Sequence, residues 1–432
     1  MGGDNEVKRV KSEWTMEKYK EYKDSGVQWL GEIPSHWIIK RLASMFTGEI
    51  EVNKDFYVKH AFKFNFGELV SKNEIGNTDE YKDVYSKYSL VKKGDIVING
   101  LNLNYDFVSQ RVACTPYDGI ITSAYIVCRP RQTVNYQYYT FLFKGMDSIK
   151  LFHGMGTGIR LTLSFKELRK RLLPLPPLAE QRSIVSYLDT KCSLLDTLLS
   201  NKEKKISLLQ EMKQRVIADA VTRGVNPNVK FKATNIPWLP EIPEHWEMSK
   251  VSSHFRQRNM KVSDKEYPAL SVSKMGVTPQ LDNVALSNAE GNSRKLVKVG
   301  DYAVNSRSDR KGSCGVSKYE GSVSLITIVL EPFDIDRGYV HYLFRSNPWI
   351  EEFYRNGRGI VADLWTTNYQ MMKGMYLPIP PLSEQRAIVS YITERTSKID
   401  TLIEKLTKEI ECVKEYKQRL ISDVVTGQVK VC

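Results

Sequence analysis

The 432-residue chain lacks the patterns that mark several protein classes. Its six cysteines, Cys114, Cys128, Cys192, Cys314, Cys412 and Cys432, lie far apart without a C-x-x-C pair. That spacing argues against a zinc site or a disulfide framework and leaves them as ordinary thiols. No apolar run approaches the roughly 18 residues of a membrane span. The alternating charges from Glu6 to Asp24 leave no room for an apolar signal core with a small-residue cleavage site behind it. A soluble, cytoplasmic protein with no membrane partner is expected. Catalytic signatures are missing as well: there is no P-loop G-x-x-x-x-G-K-[ST] and no G-x-G-x-x-G after a strand. Asn347-Pro348-Trp349 lacks the second proline of an Asn-Pro-Pro-aromatic methyltransferase motif. An enzyme is therefore disfavoured, and any catalysis belongs to partners.

A hydrophobic content of 41% is that of a globular chain, and the length suits two to four domains each burying its own core. The net charge of +13 invites a polyanion. It is spread unevenly, about +6 over residues 29–173 and about +2 over residues 238–377, so charge supports a nucleic-acid partner without deciding for one.

An internal duplication organises everything else. PLPPLAEQRSIVSYL from Pro174 returns as PIPPLSEQRAIVSYI from Pro378, and WLGEIPSHW from Trp29 returns as WLPEIPEHW from Trp238. Pro177 and Pro381 stand where a helix start tolerates a missing N–H, and Glu180 and Glu384 place negative charge in the first turn. An apolar 3,4 spacing then runs from Val185 through Leu188, Cys192, Leu195 and Leu199 to Ala220, and from Val389 through Ile392, Ile399 and Leu406 to Val424. Lys213 and Lys417 interrupt the two seams at the same place. Such seams predict long coiled-coil helices, packed antiparallel on each other or else each on a different partner protein.

The expected order is an N-terminal segment (1–28), a variable domain (29–173), a repeated helix (174–225), a linker (226–237), a second variable domain (238–377) and a second repeated helix (378–432). Both variable domains read as mixed α/β, with strands over 95–99, 120–128, 302–305 and 324–330 and one helix each over 136–152 and 338–354. The fold class predicted is α/β plus a long-helix coiled coil, a pseudo-twofold duplication with two domains separated by two antiparallel helices. Two further echoes sit at matching places: GDIVIN from Gly94 against GDYAVN from Gly300, and GTGI from Gly156 against GRGI from Gly357.

The doubled P-[LI]-P-P-L-x-E-Q-R-x-I-V, the W-L-x-E-I-P-x-H-W at the start of each half and the G-D-[IY] strand together resemble the specificity subunit of type I restriction-modification enzymes. The resemblance spans nearly the whole chain. It implies that the variable halves are target-recognition domains, each reading one part of a gapped double-stranded DNA site, with the paired helices fixing the gap. It also implies two docked methyltransferase subunits that carry S-adenosylmethionine and methylate adenine, with a motor-nuclease subunit using ATP and magnesium as an optional third component. No cofactor is expected in this chain. A ruler between half-sites suits DNA, whose helical repeat is roughly 34 Å, and a heptad slip of a coiled coil would shift one domain by roughly 10 Å, about three base pairs. A plain coiled-coil adaptor would account for the helices but not for two large basic domains.

Candidate DNA contacts cluster in the loops after the G-D strands. NSRSDRKGSCG offers Asn305, Arg307, Arg310 and Lys311, which mix base-edge donors with phosphate-binding cations. NGLNLNYDFVSQR offers Asn99, Asn102, Asn104, Gln110 and Arg111, where Asn and Gln suit adenine edges. The glycine-flanked Thr157, Arg160 and Arg358 could approach a phosphate backbone closely. His36-Trp37 and His245-Trp246 read as buried anchors, because two histidines so far apart lack metal-ligand company. Glu180 and Glu384 are expected to satisfy orphan helix amides, with Arg182 and Arg386 reaching loops or a docked subunit.

Overall fold

The computed structural model describes residues 17–72, 81–158, 161–263, 265–280, 294–359 and 365–431. The chain forms two units, Met1–Asn201 with Glu409–Cys432, and Lys202–Lys408. Each unit therefore takes one half of each repeated helix.

In the first unit a four-stranded sheet is built from β1 (Phe46–Thr47), β2 (Ile96–Ile98), β3 (Val112–Cys114) and β4 (Ile126–Pro130), in the order β1-β4-β2-β3. Ile126 faces Ile98 and Cys128 faces Ile96, so the apolar face continues from strand to strand. In the second unit β5 (Phe255–Gln257), β6 (Tyr302–Asn305), β7 (Cys314–Val316) and β8 (Thr327–Pro332) form the corresponding sheet, β5-β8-β6-β7. The duplicated sequence thus folds twice into one topology. All pairings between these strands are antiparallel.

Two expected strands divide. Residues 120–128 give Gly119–Ile121, which pairs with Ser89–Val91, and β4, with Thr122 to Tyr125 turning the corner between two sheets. Residues 324–330 divide likewise into Gly321–Ser324 and β8, where Leu325 and Ile326 are exposed. β-rich composition runs through both corners, so composition alone hides the change of sheet. The helix expected over 136–152 ends earlier, as α1 (Tyr136–Ser148), and Lys150 at a φ of 59° leads into a 3₁₀ turn over Leu151–Met155. The helix expected over 338–354 is two, α2 (Arg337–Leu343) and α3 (Asn347–Arg355), because Pro348 has no N–H to continue α2 and instead starts α3.

The repeated helices span Leu178–Arg223 and Leu382–Val425. Pro174 and Pro378 belong to the domains, where Leu172–Leu175 pairs with Ile38–Arg41 and Tyr376–Ile379 with Glu247–Lys250, whereas the Pro177 and Pro381 carbonyls accept the first helix bonds, from Gln181 and Gln385. Along both helices the seam positions read from the sequence are buried or half-buried throughout. In the first unit Val185 and Leu188 share a core with Leu420 and Val424. In the second unit Ile217, Ala220 and Val221 share one with Ile388 and Ile392. Numbers rise on one helix as they fall on the other, which is antiparallel packing inside each unit. The two seam lysines are paired identically: Lys417 Nζ lies 2.5 Å from Asp196 Oδ1 in the first unit, and Lys213 Nζ lies 2.6 Å from Asp400 Oδ1 in the second. Among the described residues no helix is long and apolar enough to cross a membrane.

Candidate nucleic-acid interface

Each domain is fastened to the start of its repeated helix by the Glu-Gln-Arg triplet, and the glutamine is the fastener. Gln181 is fully buried; its Oε1 accepts from the Asn135 amide at 2.8 Å and its Nε2 donates to the Pro176 carbonyl at 2.8 Å. Gln385 repeats both bonds, to the Asp336 amide and the Pro380 carbonyl, at 2.8 and 2.9 Å. Asn135 and Asp336 in turn cap α1 and α2, so one side chain ties two helix starts together. The tyrosines of those helices finish the joint. Tyr138 donates to the Val425 carbonyl and Tyr339 to the Val221 carbonyl, and burial holds both phenols far above their usual range, so they stay neutral donors.

The glutamates act otherwise than expected. Glu180 Oε2 meets His36 Nε2 at 2.9 Å and its other oxygen accepts from Tyr19, while Glu384 Oε2 meets His245 Nε2 at 2.8 Å. The histidines are correspondingly half-exposed at 48% and 47% of their side-chain surface, and only Trp37 and Trp246 are the buried anchors. Arg182 is exposed, and Arg386 Nε reaches Asp336 Oδ2 only at 4.0 Å. Among the described residues no group of metal-ligating side chains assembles.

The G-D motif sets the base of each candidate reading loop. Gly94 and Gly300 have φ of 89° and 91°, a conformation that favours glycine. The next aspartate is buried and accepts from the amide three residues back, Lys92 for Asp95 and Lys298 for Asp301, both at 2.8 Å. A guanidinium holds each one in place: Arg129 on Asp95 at 2.8 Å and Arg258 on Asp301 at 2.6 Å. The motif's last residues, Asn99 and Asn305, turn their side-chain oxygens onto the amides of Leu101 and Arg307, each at 3.1 Å. They are turn formers through their oxygens, a role the sequence reading did not assign them.

In the first domain the loop from Asn99 to Arg111 is organised from within. Arg111, expected at the DNA, is 1% exposed. Its guanidinium donates to the carbonyls of Asn99 (3.1 Å), Leu101 (2.8 Å), Asn102 (3.5 Å) and Asp106 (2.7 Å), and its amide donates to Asp147. Converging carbonyls, with the Asp106 carboxylate at 3.7 Å, hold a buried cation that would otherwise be costly, so Arg111 positions the loop from beneath. The Ser109 amide and hydroxyl hold the Asp106 carboxyl down to about 2, which keeps it ionised. Asn102, at a φ of 53°, and Gln110 are exposed, and Asn104 is half-buried.

Both domains bring their two echo loops together. Leu163 donates to the Gly100 carbonyl at 2.9 Å and Thr157 pairs with Thr162; a Cβ at residue 100 would lie 2.5 Å from the Leu163 carbonyl oxygen, which explains a glycine there. In the second domain Arg307 and Arg358 both bridge to Thr366, and Ser308 donates to the Trp365 carbonyl. Thr157 and Arg358 are exposed, as expected; Arg160 lies outside the described residues.

The second loop presents its cations already oriented. Arg307 makes two bonds to Asp309, at 3.0 and 3.2 Å, Arg310 lies 3.7 Å from the same carboxylate, and Lys311 lies 2.9 Å from Glu351. Tyr354 fixes the loop by donating to the carbonyls of Asn305 (2.8 Å) and Arg310 (3.3 Å). These exposed pairs contribute little to stability but leave the guanidinium edges open to a polyanion. A cleft of about 660 Å³, with Trp238, Trp365, Lys311 and Arg355 in its wall, lies alongside. Sequence reasoning passed over Trp365 here and the exposed Tyr105, Phe107 and Val108 in the first loop. Their only signal was apolar and aromatic residues inside a polar loop.

Two like domains, each a small antiparallel sheet with paired loops at its edge and clamped to antiparallel helices, define a duplicated architecture whose variable surface is loop-borne. The relatives that this chain resembles are specificity subunits. The chain is 25% identical to the putative type I restriction enzyme MjaX specificity subunit of Methanocaldococcus jannaschii, over 93% of this chain and 96% of that one. It is 24% identical to the MjaVIII specificity subunit of the same organism, over 82% and 84%. Among solved structures it resembles a chain of a type I restriction-modification assembly (TM-score 0.67, 14% identity, covering 91% and 98%). It also resembles the HsdS subunit of Thermoanaerobacter tengcongensis (TM-score 0.50, 16% identity, covering 92% and 98%). No protein-family model matches the chain. The resemblance read from the repeated motifs is thus borne out by relatives of full length and by fold.

Proposed function

We propose that this chain is the DNA sequence-recognition subunit of a type I restriction-modification complex and contributes no catalysis of its own. Each domain reads one part of a two-part gapped site, and the chain directs two adenine methyltransferase subunits to it, with a motor-nuclease joining as a further component. S-adenosylmethionine, ATP and magnesium belong to those partners. The observation that carries this reading is the repetition of the loop pair. The same sheet edge, built on the same G-D turn, presents an amide and apolar loop in one domain and a basic loop in the other. A shared frame with chemically different loops is what reading two different half-sites requires.

Mapping methylated adenines in genomic DNA with and without the gene tests it. Two-part motifs that vanish with the gene are expected. With methyltransferase subunits present, duplex binding that shows no sequence preference and a salt slope near zero would reject the reading in favour of an adaptor.

A further inference from the structure

The first reading loop is unusual in where it keeps its charge. Residues 99–110 contain neither Lys nor Arg, and the cation that follows, Arg111, is buried beneath the loop with its guanidinium on backbone carbonyls. What the loop offers solvent instead is apolar: Tyr105 is 77% exposed, Phe107 55% and Val108 85%. This exposure does not come from a slack loop. Leu103 is fully buried under it, Asp106 caps the turn through the amides of Val108 and Ser109, and Phe107 stacks on His153 at 4.7 Å. A rigid tip that holds three apolar side chains in water marks a contact surface.

The partner's chemistry follows from what the tip lacks and what flanks it. Without an exposed cation, and with its one carboxylate, Asp106, facing the buried Arg111 guanidinium at 3.7 Å, the tip offers phosphate no partner and cannot pair with guanine as an arginine does. Its flanks carry the exposed Asn102 and Gln110, whose amides match the major-groove edge of adenine. The base paired with adenine presents a C5 methyl group in the same groove, the one apolar feature among the base edges. We propose that this loop reads A·T pairs, with Tyr105 and Val108 packing on thymine methyl groups. The second domain, with Arg307, Arg310 and Lys311 at the same place in the fold, reads its half-site without a methyl contact. This inference rests on the sequence-reading role proposed above.

The test uses the full chain assembled with its methyltransferase subunits and duplexes bearing the methylated motif. The half-site that survives alanine substitution of Arg307, Arg310 and Lys311 is assigned to the first domain. Uracil is then substituted for thymine in each half-site in turn, which removes only the methyl group. Binding is expected to weaken about fourfold for each contacted methyl in the first domain's half-site, the change that burial of one methyl corresponds to, and to stay unchanged in the other. Tyr105→Ser and Val108→Ser, both at exposed positions, should abolish that sensitivity while leaving the circular dichroism spectrum intact. Indifference to uracil in both half-sites, uracil sensitivity that survives both serine variants, or a first half-site without an A·T pair would each overturn the inference. Absence of any two-part motif would instead overturn the proposed function beneath it.

Discussion

Replacing Gln181 with Leu tests whether the glutamine of the repeated triplet is what joins domain to helix. The substitution keeps the side chain's bulk but deletes both bonds, leaving the Pro176 carbonyl buried and the Asn135 amide half-buried without partners. A buried backbone group left unsatisfied costs about 1–3 kcal/mol, and the Asn135 amide, nearer to solvent, falls at the low end, so the sum is about 2–4 kcal/mol. A single unfolding midpoint is a poor gauge in a chain of two units. Amide hydrogen exchange is local and resolves the joint itself. The Asn135 amide should exchange about 30- to 700-fold faster, at 1.4 kcal/mol per decade. The duplication supplies the control: Gln385→Leu should do the same to the Asp336 amide and leave Asn135 alone. Unchanged exchange at Asn135 in the Gln181 variant would show that the joint is held by apolar packing and refute the reasoning.

Arg111→Met should unmoor the first loop while its sheet persists, seen as loss of one half-site from the methylation map and faster exchange of amides in residues 99–110; simultaneous loss of both half-sites would count against it. Alanine at Arg307, Arg310 and Lys311 together should change or abolish the other half-site alone. The Lys213 and Asp400 pair is partly exposed, at 30% and 56%, so a double-mutant cycle should return a coupling of about 0.2–1 kcal/mol, and the Lys417 and Asp196 pair a similar value. His341 supplies a pH effect. Burial, with Arg345 and Lys318 nearby, lowers it from 6.5 to about 4. The unfolded chain therefore binds a proton that the folded one refuses, and the associated stability is complete above about 6.5 and is lost as pH falls toward 4. The loss amounts to about 3 kcal/mol at 1.36 kcal/mol per unit, and the protection of α2 amides against hydrogen exchange, corrected for the intrinsic rate, should fall between pH 7 and 4 in the parent chain but not in His341→Phe.

Periodicity is what made the helices legible. The seams from Val185 to Ala220 and from Val389 to Val424 predicted long helices and left open what each packs on, and the aspartates that meet Lys213 and Lys417 are visible only in the fold. The domains were legible in kind but not at their corners, because Ile120 to Cys128 is β-rich throughout while the sheet changes at Thr122. The break between α2 and α3 was written in Pro348 and overlooked, since the apolar pattern continues across it. Arg111 was illegible for a different reason: arginine is normally a surface residue, and the four carbonyls that receive it converge only once the loop has folded. His36 and Glu180 lie 144 residues apart, so their pairing exists only in three dimensions.

Most of the bonds shared by the two domains run from a side chain to a backbone group. Gln181 and Gln385 grip an amide and a carbonyl, Tyr138 and Tyr339 grip helix-end carbonyls, and Asp95 and Asp301 grip turn amides. Backbone groups are present whatever residue occupies the position, so these bonds survive almost any change in the neighbouring loops. The reading loops are held in the same manner, Arg111 by carbonyls in one and Tyr354 by carbonyls in the other, which leaves Tyr105, Val108, Arg307 and Arg310 facing solvent. Substitution at such exposed tips typically shifts stability by no more than about 0.5 kcal/mol. Recognition can thus be rewritten at the tips while the fold is maintained by groups that do not take part in it, and two domains with one architecture can carry an apolar tip and a basic one.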